Sequence, residues 1–152
     1  MATAHPRPRH SARLVNDFAT PIREGWKAMR LQEFSEFIGP FLYRREGAGY
    51  RYAFQADQRH VNVNGVLHGG MLMTFVDQAM GSAVFEAVGR RKCATAQLNT
   101  HFLGPVRPGD FVECDSDVMR VTRSLVFMRG VLRVGDRTVL AADGVWKILG
   151  VP

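Results

Sequence analysis

The sequence predicts an α+β domain in which one long helix packs against an antiparallel sheet of about six strands. Three observations carry this. An apolar run bounded by Gly65 and Gly89 has the length of a buried helix. Two β-patterned runs precede it and four follow it. The turns between the neighbouring runs are too short for parallel crossovers, which need a dozen or more residues.

Residues 1–19, rich in Arg and Pro, read as a flexible tail, and residues 20–152 as a single domain. At roughly 100–200 residues per domain, a chain of this length makes one. Thr20-Pro21 suits an N-cap and first helical position. A helical region with breaks then runs through Trp26, Met29, Leu31, Phe34, Phe37 and Ile38, until Gly39-Pro40 stops it. Phe41–Arg45 and Tyr50–Ala56 read as strands joined by the hairpin turn Glu46-Gly47-Ala48-Gly49. A polar loop, Asp57 to Gly65, leads into His68-Gly69-Gly70 and a helix from about Met71 to Val88, with Gly89 as C-cap. Met71, Leu72, Phe75, Val76, Met80, Ala83, Val84 and Ala87 are spread nearly all round that helix, which predicts burial on every side. Four strands complete the chain: Ala94–Leu103, Phe111–Val121, Ser124–Val134 and Thr138–Leu149. Gly, Pro and Asp clusters and Thr122-Arg123 separate them.

Composition narrows the class. With 46% hydrophobic and 22% charged residues, the chain is neither disordered nor fibrous. Cys93 and Cys114 are too few for a disulfide scaffold and read as reduced thiols, which predicts a cytoplasmic protein. The N-terminus lacks the apolar core of a secretory signal. The Gly65–Gly89 run is long enough to cross a bilayer, yet it carries His68, Asp77, Gln78 and Glu86. A central Asp alone costs about 2.5–3.5 kcal/mol of insertion, so no membrane partner is expected. Net charge is +6, and only three of the 20 basic residues are lysines. Arginine forks suit phosphate or carboxylate groups. No basic run exceeds Arg90-Arg91-Lys92 and no zinc-finger spacing occurs, so nucleic acid is not the expected partner. A basic surface kept for solubility or a phosphorylated small molecule accounts for the charge.

The chemistry concentrates at the start of the long helix. The first N–H groups of a helix lack internal acceptors and carry about half a positive charge. Glycine lets a ligand approach them closely. Gly69-Gly70 therefore suits either an oxyanion site or a plain turn. Asp77 lies mid-helix among apolar residues, where carboxylates are rare unless paired or functional. Desolvation there would raise its pKa and favour a general base. His68 fits an acid/base role or a backbone-bonding one, and Asn62 fits an Asx turn as well as a carbonyl-orienting amide. Thr95 reads locally as a strand residue. Met71, Met73 and Phe75 suit either the core or an acyl pocket. No second His or Cys stands at ligand spacing and no G-x-S-x-G occurs, so neither a metal nor a serine nucleophile is expected.

The segment Asn62-Val-Asn-Gly65-Val-Leu-His68-Gly69-Gly70, followed by Thr74-Phe-Val-Asp77, resembles the hotdog-fold thioesterases of the phenylacetate-degradation (PaaI-like) type, among them thioesterase superfamily member 2. The likeness covers roughly Phe34 to Leu149. It implies hydrolysis of acyl-CoA thioesters with no separate cofactor, coenzyme A being part of the substrate. It implies that Gly69 N–H polarises the thioester carbonyl, that Asp77 activates water or attacks directly, and that Asn62 and His68 support the carbonyl and helix start. Thr95 would stand near the water. Gly70, Gln97, Arg107, Arg120, Arg123 and Ser124 would bind substrate, the last three in a segment that meets the coenzyme A tail. A hotdog dehydratase is a competing reading, suggested by His101-Phe102-Leu-Gly, but its His-then-helix-Glu order is reversed here. A non-catalytic acyl-CoA-binding protein on the same fold is another.

Geometry adds one expectation. Gly69 and Asp77 are eight residues apart, about 12 Å along one helix at 1.5 Å per residue. A reacting carbonyl must lie about 3 Å from both. Two chains related by a two-fold axis solve this, each helix start facing the other's middle. A homodimer is expected, with a dimer of dimers as its extension.

Overall fold

The computed structural model describes residues 22–31 and 33–150. The tail at 1–19 and the cap at Thr20-Pro21 lie outside them. Seven strands and two helices follow in the order β1 (Lys27–Ala28), α1 (Glu33–Ile38), β2 (Phe41–Glu46), β3 (Gly49–Gln55), α2 (Gly69–Ala87), β4 (Cys93–Phe102), β5 (Phe111–Val121), β6 (Leu125–Val134) and β7 (Arg137–Ile148). The strands form one antiparallel sheet in the order β1-β2-β3-β5-β6-β7-β4. This is the α+β hotdog architecture, with α2 laid across the sheet. Among the described residues, no helix is long and apolar enough to cross a membrane.

The strands from β2 to β7 follow the sequence reading to within a residue or two. The N-terminal region does not. In place of one interrupted helix, Gly25 turns the chain at φ +81°, β1 pairs with Leu42 and Tyr43, and of the described residues in this region only Glu33–Ile38 are helical. The reason is tertiary. Trp26 is buried on the sheet face away from α2, packed edge-on against Phe111 with centroids 5.2 Å apart and covered by the Arg44 guanidinium. Extended backbone delivers it there and a helix does not.

The core lies between α2 and the sheet. Met71, Leu72, Phe75, Val76, Ala79, Met80 and Val84 face β3, β5, β6 and β7. Phe75 meets Phe54 at 4.6 Å and Phe41 at 5.3 Å between ring centroids. Each fully buried side chain of this size contributes about 1.5–3 kcal/mol. The helix is not buried all round, however. Asp77, Gln78, Gly81 and Ser82 are half-buried, and Met73 and Phe85 are exposed. That second face looks along a groove beside β4. Cys114 is buried, which pushes its thiol up to about 12, whereas Cys93 is only half-buried; both are free thiols.

Candidate active site

The loop before α2 is a closed unit. Asp57 caps a single 3-10 turn at Gln58–His60, and Val61 bridges to Leu67. Asn62 Oδ1 accepts from Asn64 N–H at 2.8 Å, and Gly65 closes the turn at φ +74°. The Asx-turn reading of Asn62 is therefore realised by its oxygen, while its side-chain N–H groups have no partner among the described residues. His68 is the N-cap of α2. Its Nδ1 accepts from Gly70 N–H at 3.0 Å, and its carbonyl takes the N–H groups of Met71 and Leu72. This leaves Gly69 N–H without an acceptor among the described residues. The capping bond makes Nδ1 an acceptor, so the ring hydrogen sits on Nε2. A Cβ at 69 would lie 3.2 Å from the half-exposed Phe102 ring, which would have to move aside by a few tenths of an ångström.

Asp77 lies two turns further on. Thr95 Oγ1, from β4, donates to Asp77 Oδ1 at 2.7 Å. The pair borders a cavity of about 590 Å³, which reaches past Gly81 and Ser82 to Tyr50, Tyr52 and Glu86. Asp77 is half-buried, not enclosed, because this cavity opens beside it. Burial, then the Glu86 carboxylate and the neighbouring Tyr50 and Cys114, push the Tyr52 hydroxyl up to about 12, so it stays a neutral donor at the cavity wall. His68 and Gly70 border a different, smaller cavity of about 290 Å³, beneath Phe34 and Ile38 of α1.

One chain thus holds two separate clusters of the expected residues, His68-Gly69-Gly70 with Asn62 in the adjoining loop, and Asp77 with Thr95. The remaining expected residues are dispersed. Gln97 follows a bulge and pairs with Val145, so it lies on the sheet face opposite Thr95, which pairs with the buried Trp146. Arg120 is on that same outer face, paired with Phe127. Arg123 and Ser124 form the β5–β6 turn, where Ser124 O holds Ile148 N–H near the start of β4. Arg107 is exposed at the other end of the molecule, beside the loop that feeds α2. Met71 and Phe75 are core and Met73 is exposed, so none of the three borders the Asp77 cavity. Sequence reasoning passed over Tyr52, Gly81, Phe102 and His60. The glycine in the middle of a strong helix was the one visible signal among them.

The fold has counterparts. The profile of the thioesterase superfamily matches residues 64–141, and the chain belongs to that superfamily. A Pseudomonas aeruginosa protein, PA0474, whose name proposes an esterase, is 29% identical over 130 residues, spanning 84% of this chain and 97% of its own. Zebra fish thioesterase superfamily member 2 has the same fold, with a TM-score of 0.70 at 17% identity, over 78% of this chain and 88% of that one. The Escherichia coli PaaI protein from the phenylacetic acid degradation operon superposes with a TM-score of 0.68 at 16% identity, over 77% and 84%. Bacillus halodurans BH2602, solved with CoA, superposes with a TM-score of 0.61 at 20% identity, over 65% and 66%.

Proposed function

We propose that this protein hydrolyses acyl-CoA thioesters, at a site that two chains complete. The observation that carries the reading is the Thr95–Asp77 bond at the mouth of a cavity. Thr95 occupies Oδ1 and fixes the carboxylate plane. Oδ2 is then free to accept a proton from water. Membership of the thioesterase superfamily and the CoA bound by BH2602 support acyl-CoA as the substrate class.

In the proposed step, water oxygen bonds to the thioester carbonyl carbon as its proton passes to Asp77. The carbonyl oxygen gains negative charge against Gly69 N–H, whose helix-start position supplies about half a positive charge. Asn62 offers a second donor from its side-chain amide. The C–S bond then breaks, and the coenzyme A sulfur leaves with the proton held by Asp77. Direct attack by Asp77, followed by hydrolysis of the anhydride, uses the same groups. Arg120, Arg123 and Ser124 hold the nucleotide end of the substrate in this reading, with Gly70, Gln97 and Arg107 as further contacts.

The shared site follows from the separation of the two half-sites. It is supported by β4, a ten-residue strand that pairs on one side only and is largely exposed along its length. A long uncovered strand edge is a template for another chain. Thiol release from a panel of acyl-CoA thioesters tests the function. Wild type is expected to release coenzyme A, without loss on EDTA treatment, and Asp77→Asn is expected to be at least about a hundredfold slower, the typical cost of removing a general base. Equal turnover by the two proteins refutes the mechanism.

A further inference from the structure

The face of α2 that borders the Asp77 cavity is a stripe of half-buried or exposed residues: Asp77, Gln78, Gly81, Ser82, Phe85 and Glu86. Gly81 is the one member with no side chain. It stands four residues after Asp77, on the same helix face and about 6 Å along the axis. Glycine is the poorest residue after proline for a helix interior, so its presence there needs a reason. Close packing supplies only part of one. A Cβ at Gly144 would come within 2.7 Å of both the Gln97 carbonyl and the Trp146 ring, so that glycine is sterically fixed. At Gly81 the same test meets a single atom within 4 Å, the Trp146 Nε1 at 3.3 Å. Trp146 is fully buried, so a methyl there presses on the indole at one atom, while the rest of the space around Gly81 is open. The space beyond Gly81 is cavity, floored by Trp146 and by Cys93, whose thiol is 4.0 Å from the Gly81 carbonyl.

We infer that Gly81 is the specificity-determining residue of the acyl pocket, its missing side chain admitting bulky acyl groups along α2 toward Phe85. This rests on the hydrolase reading above. An acyl chain leaving the carbon beside Asp77 must pass Gly81 within its first few atoms. The path from Asp77 to Phe85 is about 12 Å, long enough for a medium-chain or aryl acyl group. Phe85 offers an apolar surface at its end, while the Tyr52 and Ser82 hydroxyls line its side.

The test compares wild type, Gly81→Ala and Gly81→Val with acetyl-, octanoyl- and phenylacetyl-CoA. Binding of the matching non-hydrolysable S-alkyl-CoA thioethers is measured in parallel. The expected result is that kcat/KM for octanoyl- and phenylacetyl-CoA falls by about tenfold or more in Gly81→Val, the size of effect one methylene has in a hydrophobic pocket. Acetyl-CoA turnover should change by less than about twofold, with Gly81→Ala between the two. Uniform loss on all three substrates, or no loss on any, overturns the inference and leaves hydrolysis standing. If wild type hydrolyses none of them but binds octyl thioether more tightly than Gly81→Val does, the pocket assignment stands and the hydrolase reading falls. If wild type neither hydrolyses nor binds any of them, both fall. Should Gly81→Val fail to fold, the same comparison is read from Gly81→Ala, with a smaller loss confined to the two bulky substrates.

Discussion

Mixing two inactive variants tests the two-chain site directly. Asp77→Asn removes the group that takes the proton from water, and Asn62→Ala removes a donor at the helix-start half-site. The first is expected to cost about 10²–10⁴ in rate. The second, as loss of an oxyanion donor, is expected to cost about 10²–10³. Each homodimer is then a poor enzyme. When the two are unfolded together and refolded, half of the dimers are mixed if pairing is random. In a mixed dimer, one site combines the intact loop of the Asp77→Asn chain with the intact Asp77 of the other chain. The second site carries both lesions. One site in four is therefore whole, and about a quarter of wild-type activity should return, because assortment follows the symmetry of the pair. Thiol release measures it, and native mass spectrometry counts the mixed dimers. If mixed dimers form and activity stays at the level of the parents, each site lies within one chain and the reasoning from the 12 Å separation is wrong.

Other expectations follow from single contacts. Thr95→Val removes the donor to Asp77 and should lower kcat by about tenfold or more with little change in KM, since the bond orients a catalytic group and binds no substrate. Arg120→Ala and Arg123→Ala should raise KM more than they lower kcat, and a selective fall in kcat contradicts their place at the nucleotide end. Gly144→Ala forces a methyl against backbone and ring at 2.7 Å and should destabilise by about 1–3 kcal/mol, read as a lower Tm. His60 is buried, with Nε2 at 3.0 Å from the Ile38 carbonyl and Nδ1 accepting from Asp57 N–H. Desolvation by burial holds its pKa below the ordinary value, against the opposing pull of the Ile38 carbonyl and the Asp57 carboxylate, while Arg59 adds to the lowering. The unfolded chain then binds more protons as pH falls below about 6.5, so acid favours unfolding through this residue. Wild type should lose more thermal stability between pH 7.5 and 5 than His60→Gln does, and parallel losses refute the assignment.

The legible parts of the sequence were those whose partners are local. The strands from Phe41 onward are bounded by turn residues, and their alternation reports which face each residue takes. The long helix announced itself by length, and His68-Gly69-Gly70 by the chemistry of a helix start. What escaped was set by distant contacts. Trp26, Met29 and Leu31 sit at spacings that read as helical, but Trp26 is claimed by Phe111, far along the chain, and that decides its backbone. Asp77 looked enclosed because its helix neighbours are apolar. The groove beside it runs along the stripe of α2 that carries Gln78, Gly81 and Ser82, next to β4. The Thr95–Asp77 bond joins residues 18 apart across a helix-to-strand reversal, and only the resemblance singled out Thr95. Gln97 looked equivalent to Thr95 by simple alternation, and a bulge between them breaks that count.

The strand order also dictates when the molecule can be finished. β4 is made early, yet its sheet partner is β7, the last of the seven described strands: Cys93 waits for Ile148 and Phe102 for Leu140. When α2 leaves the ribosome, the strands that cover Phe75, Val76 and Met80 on one side are still unsynthesised. Non-local pairing of this kind is slow to close, and the exposed apolar face is sticky until it does. Closure of this sheet therefore waits until residues 137–148 have been made. A nascent chain halted before residue 137 holds β4 with no sheet partner on either edge, a template for pairing with another chain.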